Sequence, residues 1–162
     1  LDRAHDGETV FVGEQVTCVV EAGHGSIFAR WHFGRYRRGV IDEVIAANQA
    51  FYDAHEQRDI DAMIDVWQHD DRVVCVHPGW PMLRTWPPIE QSWRDIFAGP
   101  GRNQFILTNQ SVAVDGDLAW VTVDENLVQG AATGTVAATN LFARIDGAWK
   151  LVVHHGSPVM TG

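Results

Sequence analysis

Two Asp-Gly pairs, Asp115-Gly116 and Asp146-Gly147, constrain this chain more than any other feature. A two-residue hairpin loop needs positive φ at its centre, and Asp-Gly between apolar runs is its strongest short-range signal. The first pair joins residues 105–114 to 118–128, and the second joins 135–145 to 148–155, with a looser turn over 130–134. The second half therefore reads as an antiparallel meander of four long strands. Its last run, AWKLVVHHGSP, alternates so that Trp149, Leu151, Val153 and His155 share one face and Lys150, Val152 and His154 the other. The apolar run finishes on an imidazole beside Gly-Ser-Pro. That pattern suits a strand that closes a core and then borders a pocket, with His155 on the inner side. A bulge near Gly156 would exchange the two histidines.

Helical signals precede the meander. Ile41, Val44, Ile45, Asn48, Phe51, Tyr52 and His55 recur at helical spacing, predicting a helix over 40–57. Asp59 suits the N-cap of a second helix that buries Ile60, Met63, Ile64 and Trp67. Residues 72–77 are apolar on both faces and predict a short, doubly buried strand, and residues 82–86 its return. Pro87 and Pro88 fit the first turn of a third helix, whose stripe is Ile89, Trp93, Ile96 and Phe97. Helices gathered on one side of a curved antiparallel or mixed sheet make an α+β domain. A cavity between the two layers is the expected binding site.

Composition excludes some functions. Residues 39–162 hold seven Lys or Arg against sixteen acids, whereas residues 1–38 are balanced at five Arg and five acids. With no basic stripe, nucleic-acid binding is not expected. No apolar run reaches the roughly 20 residues a membrane span needs, and no secretory leader is read at the start. Cys18 and Cys75 read as unpaired buried thiols in a cytoplasmic protein, without zinc-ligand spacing. Residues 1–38 carry two short β-like runs, 9–12 and 16–20, among glycines and a basic Arg30, Arg35, Arg37, Arg38 patch. They are expected to be an extension, either a loose arm or non-native upstream sequence, with an extra folded hairpin as the alternative. The domain proper is residues 39–162.

Within it, AFYDAHEQRDIDAMIDVW, VCVHPGWPMLRTW, IEQSWRDIF and DGAWKLVVHHGSP together resemble the SnoaL-like branch of the NTF2-like superfamily, which includes ketosteroid isomerase. The resemblance covers residues 40–159. It implies a conical α+β barrel of three helices on a curved sheet, usually a homodimer across the outer sheet face. Thr85 departs from the pattern, since relatives often have Gly in the turn before Trp86.

The resemblance also assigns chemistry. His77 falls at or near the isomerases' general-base position, as an imidazole able to take a proton near neutral pH. Asn140 lies near their protonated acid, where an amide could donate to an oxyanion. The tyrosine that partners it there falls on Phe51, while Tyr52 points about 100° away along an ideal helix, so half of the oxyanion hole is expected to be missing. His77, Asn140 and His155 are thus the catalytic candidates, with Phe51, Tyr52, Trp80, Trp93, Glu125 and Phe142 as ligand contacts. Alternation puts Glu125 inward with Val121 and Val123 and Asp124 outward, making Glu125 a candidate acid or base or a partner orienting a histidine. Each candidate has a structural alternative: a wall histidine, a structural amide, or plain core packing for Trp67, Trp93, Trp120 and Trp149. The function expected is a cofactor-free, metal-free protein that binds a hydrophobic small molecule. Proton transfer of the isomerase, cyclase or hydratase/hydrolase type is its expected chemistry. The alternative is a non-catalytic dimeric ligand-binding or interaction module.

Overall fold

Residues 38–57 form one helix, α1 (Arg38–Gln57), which buries Val44, Asn48, Phe51 and Tyr52 along a single stripe. It ends where Arg58 takes φ 57°. There the Arg58 amide turns back to the His55 carbonyl at 3.1 Å and the Asp59 amide to the Ala54 carbonyl at 3.0 Å. A left-handed residue closing the last turn in this way satisfies otherwise orphaned carbonyls. The Arg58 guanidinium is bound by the carbonyls of Phe97 and Gly99, which ties the end of α1 to the end of the third helix. Asp59 caps α2 (Ile60–Val66), its side chain accepting from the Ala62 amide at 3.0 Å. Such a cap contributes about 1 kcal/mol. Helix α3 (Trp86–Ala98) carries its two prolines in the first turn, as expected.

The computed structural model describes residues 17–22, 25–30, 38–129 and 132–160. Strands β1 (Thr17–Ala22) and β2 (Gly25–Arg30) pair as an antiparallel hairpin; the run expected over 16–20 falls mostly within β1, and β2 matches no expected run. The run expected over 9–12 lies outside the described residues.

The main sheet has six strands in the order β4-β3-β8-β7-β6-β5: β3 (Val74–Val76), β4 (Leu83–Arg84), β5 (Gln104–Asp115), β6 (Leu118–Gln129), β7 (Ala132–Ile145) and β8 (Ala148–Pro158). It is mixed and stays open. Strand β3 runs parallel to β8, and every other pair is antiparallel. The four long strands match the expected meander to within a few residues. The Asp146-Gly147 loop has φ 50° and 85°, as an Asp-Gly hairpin turn requires. The other loop is Gly116-Asp117, one residue later than expected, because Asp115 still pairs with Leu118.

The three helices cover one face of the sheet. Between the layers Met63, Trp67, Phe142, Leu151 and Val121 are fully buried, each large side chain contributing about 1.5–3 kcal/mol. Trp120 is not in this core. It pairs with Leu141 and Ala113 on the opposite, outer face. Thr85, just before α3, has φ 64° and ψ 158°. That region is essentially glycine's and costs other residues of order 1–3 kcal/mol. The departure noted at Thr85 is therefore a strained position. Among the described residues, no helix is long and apolar enough to cross a membrane.

Candidate functional site

The histidines at the end of β8 are placed by a bulge. Leu141 pairs with Val153 but its neighbour Phe142 pairs with Leu151, which leaves Val152 as an extra residue on β8. The parity of the strand flips there. His154 therefore turns inward and is 3% exposed, while His155 lies on the exposed outer side. The expectation for His155 is thus corrected: the pocket histidine is His154, and the bulge sits four residues before Gly156. Inward His154 stands beside Cys75 across the parallel β3–β8 pair and beside Asn140 across β7. Two residues beyond Cys75, His77 points to the same side and is 5% exposed.

His154 and His77 border a cavity of about 260 Å³ between the sheet and helices α1 and α3. Phe51 and His55 come from α1, Trp93 from α3, Phe105 from β5, Glu125 from β6 and His154 from β8. His77 and Trp80 close one side, with the two rings edge to face at 5.1 Å. Trp80 is 44% exposed, as expected of a residue in the Pro-Gly-Trp-Pro turn. Gly156 holds that turn in place: a Cβ there would come within 3.1 Å of both Pro78 and Val136.

A directed hydrogen-bond chain backs the cavity. Tyr52 Oη donates to Glu125 Oε1 at 2.8 Å. Asn140 Nδ2 donates to Asn48 Oδ1 at 2.8 Å and to Tyr52 Oη at 3.3 Å. Both protons of the Asn140 amide are thereby committed, so its Oδ1 must be the acceptor from His154 Nδ1 at 2.7 Å. This assigns the His154 proton to Nδ1. Its Nε2 has no partner among the described residues.

His77 is assigned the same way. Ser92 Oγ donates its one proton to the Ile89 carbonyl at 2.7 Å. His77 Nε2, 2.9 Å from that oxygen, must then donate to it, leaving Nδ1 without a proton. Cys75 Sγ lies 3.9 Å from Nδ1 and 3.7 Å from Nε2.

Burial sets the charge states. It lowers His77 and His55 to about 4, His55 also feeling His77. Burial, and then the neighbouring histidines, lower His154 to about 3. All three rings are neutral at pH 7. Glu125, 4% exposed, is pushed up to about 7 by burial, against the pull of its bond from Tyr52. Tyr52 itself is raised well above its ordinary value by burial and the nearby carboxyl, so it keeps its proton. Burial likewise keeps Cys75 a thiol.

Of the nine expected site residues, Phe51, His77, Trp80, Trp93 and Glu125 line the cavity. Tyr52 and Asn140 stand one layer behind it. Tyr52 does reach the polar network, contrary to the expectation that its helical angle would take it away. Asn140 is not available as an oxyanion donor, because both its amide protons bond within the chain. Phe142 is fully buried in the core beside Leu151 rather than at the cavity. The sequence reasoning missed His55, His154 and Phe105. His55 continues the Asn48, Tyr52 stripe at i+7 and i+3, where three polar residues on a buried helix face signal a polar cavity wall. Among the described residues, no three His, Cys, Asp or Glu side chains converge to hold a metal ion.

Three helices over an open, bent sheet with a cavity between them define a domain of the NTF2-like fold. The chain belongs to the SnoaL-like domain family, whose pattern matches residues 44–161. Among solved structures it is similar to a candidate dehydratase of the NTF2-like family from Streptomyces avermitilis, 38% identical over 76% of this chain and 98% of that one, TM-score 0.71. It is also similar to a candidate calcium/calmodulin-dependent protein kinase type II association domain from Thiobacillus denitrificans, 34% identical over 72% and 94%, TM-score 0.63. Among curated proteins it resembles the F-box protein SKIP8 of Arabidopsis thaliana, 29% identical over 118 residues. That match takes in 72% of this chain and 50% of SKIP8, so the chain spans about half the length of the curated relative it matches.

Proposed function

We propose that this domain binds a small molecule in the cavity and catalyses proton transfer on it, of the hydration or dehydration kind, as a cytoplasmic, cofactor-free homodimer. One observation carries the reading: Glu125 is a buried carboxyl that borders the cavity, with a proton affinity tuned to about 7 and its geometry fixed by Tyr52. A carboxyl that titrates near neutral pH can both take and return a proton. In a dehydration, Glu125 as carboxylate removes a proton from the carbon beside a carbonyl. As the acid it then hands that proton to the departing hydroxyl, which leaves as water, so atoms and charge balance with no other reactant. His77 keeps a neutral imidazole in the wall to hold the substrate rather than serving as the base, since its low proton affinity suits it poorly to hold a proton at pH 7. Asn140 acts through His154 and Tyr52, as a positioning residue. The likeness to a candidate dehydratase supports this class of reaction.

Turnover of small β-hydroxy carbonyl compounds tests it, followed by the appearance of the conjugated product in the ultraviolet. Glu125→Gln should lower kcat at least 100-fold, and kcat/KM of the parent should rise with pH through about 7. Full turnover by the Gln variant would remove Glu125 as acid–base. A second reading, a dimeric assembly module, is favoured by the apolar Trp120 and Leu141 pair on the outer sheet face and by the likeness to a candidate association domain. Under that reading the cavity binds nothing and a dimer persists at submicromolar concentration.

A further inference from the structure

We infer that the cavity selects an uncharged, single-ring compound that donates hydrogen bonds from a hydroxyl group, and that it rejects carboxylates and phosphates. The inference rests on the small-molecule reading above and narrows it to a ligand class.

Size comes first. A cavity of 260 Å³ equals about nine water-sized volumes at ~30 Å³ each, room for roughly one substituted ring. The walls are flat and apolar, with Phe51, Trp93 and Phe105 around the imidazoles: His55 lies 4.8 Å from Phe105 and 5.2 Å from Trp93, and His154 5.0 Å from Phe51. A planar ring fits such walls by stacking and edge contacts.

Polarity then sets the substituent. The network behind the cavity spends its protons within the chain: Tyr52 donates to Glu125, and Asn140 donates to Asn48 and Tyr52. His154 uses Nδ1–H on Asn140, and His77 uses Nε2–H on Ser92. The polar atoms left over include three acceptors, Nε2 of His154, Nδ1 of His77 and, in the ionised carboxyl, Oε2 of Glu125, beside the N–H groups of His55, Trp80 and Asn103. Among the described residues, no Lys or Arg lines the cavity. An anion would meet lone pairs and a carboxyl with no cation to pair with, and buried unpaired charge is costly. A hydroxyl, by contrast, gives each lone pair a proton. A hydroxyl held by its hydrogen on an imidazole also leaves its oxygen free to receive the proton from Glu125.

The test is calorimetric titration of the wild-type chain at pH 7 with three probes: 4-methylphenol, its isomer anisole and benzoate. The two isomers share size and formula, and only the phenol donates. 4-Methylphenol should bind at least 10-fold more tightly than anisole, and benzoate should bind more weakly than either. Equal or tighter binding of anisole or benzoate overturns the inference while leaving the small-molecule reading intact. Binding of none of the three up to 10 mM overturns both. A second measurement needs no variant: long-range proton–nitrogen spectra of histidine-labelled protein should show that the ring shifting most with 4-methylphenol is either His154 with a bare Nε2 and a protonated Nδ1, or His77 with a bare Nδ1 and a protonated Nε2. The reverse tautomer at that ring would also overturn it.

Discussion

Replacing Glu125 by Gln should make the domain more stable, increasingly so as pH rises from 4.5 through 7. The carboxyl is buried, and its folded value of about 7 stands above an ordinary 4.5. Because the folded state holds this proton more tightly than the unfolded chain, the contribution is fully present below pH 4.5 and lost as pH rises through 7. At 1.36 kcal/mol for each pH unit of displacement, the ionised group costs the native state about 3 kcal/mol by pH 8. Gln carries no charge at any pH, and its carbonyl can still accept from the Tyr52 hydroxyl. The variant should therefore gain about 3 kcal/mol over the parent at pH 8 and almost nothing at pH 4.5. In thermal terms that is roughly 10 °C for a domain of this size. Urea unfolding of both proteins across pH 4.5–8.5, with tryptophan emission as the probe, measures the difference directly. A pH-independent difference, or a variant less stable than the parent at pH 8, would refute the burial argument. The same substitution is expected to abolish turnover, so stability and activity should move in opposite directions, as is common where a site is tuned at the expense of the fold.

The remaining predictions concern the imidazoles and Thr85. His55, His77 and His154 are held below the ordinary 6.5 at about 4, 4 and 3, so their contribution is present above pH 6.5 and lost as pH falls toward 4. Between those limits the unfolded chain takes up three protons that the native rings refuse, while native Glu125 keeps one. A difference of two protons makes the slope approach about 3 kcal/mol per pH unit, and unfolding at pH 6 and pH 5 should show it; equal stabilities would contradict the buried, neutral rings. Thr85→Gly should stabilise by about 1 kcal/mol, strain relief of order 1–3 kcal/mol outweighing the extra freedom of an unfolded glycine. A lower denaturation midpoint for that variant would mean that φ 64° at this position is not strained.

The sequence made the layers legible because their signals are periodic. The helix stripe from Val44 to Tyr52 and the alternation along β6 are repeated patterns, so single residues cannot mislead them. That is why Glu125 could be turned inward from its neighbours Val121 and Val123 alone, and why the Asp146-Gly147 turn was found. The Gly116-Asp117 loop slipped by one because Asp115 fits equally well as a turn residue and as the last pairing residue. Trp120 was misjudged for a related reason: composition favours burying a tryptophan, but its parity relative to Val121 places it outside.

The site was less legible because its decisive feature is a defect in a period. One unpaired residue at Val152 exchanges His154 for His155, and nothing in LVVHH announces it: every residue there is content on either face. The bulge fixes more than one ring. With His154 inward, Asn140 has a donor for its carbonyl, so its amide protons turn toward Asn48 and Tyr52, and the Tyr52 hydroxyl in turn faces Glu125. Reverse the parity and Asn140 would lose its acceptor role and could present its amide to the cavity as a donor. A single inserted residue thus decides whether Asn140 offers its amide protons to the cavity or spends them within the chain. Two chains of this fold with the same inward residues on β6 and β7 can on this account differ in ligand class through backbone register on β8 alone.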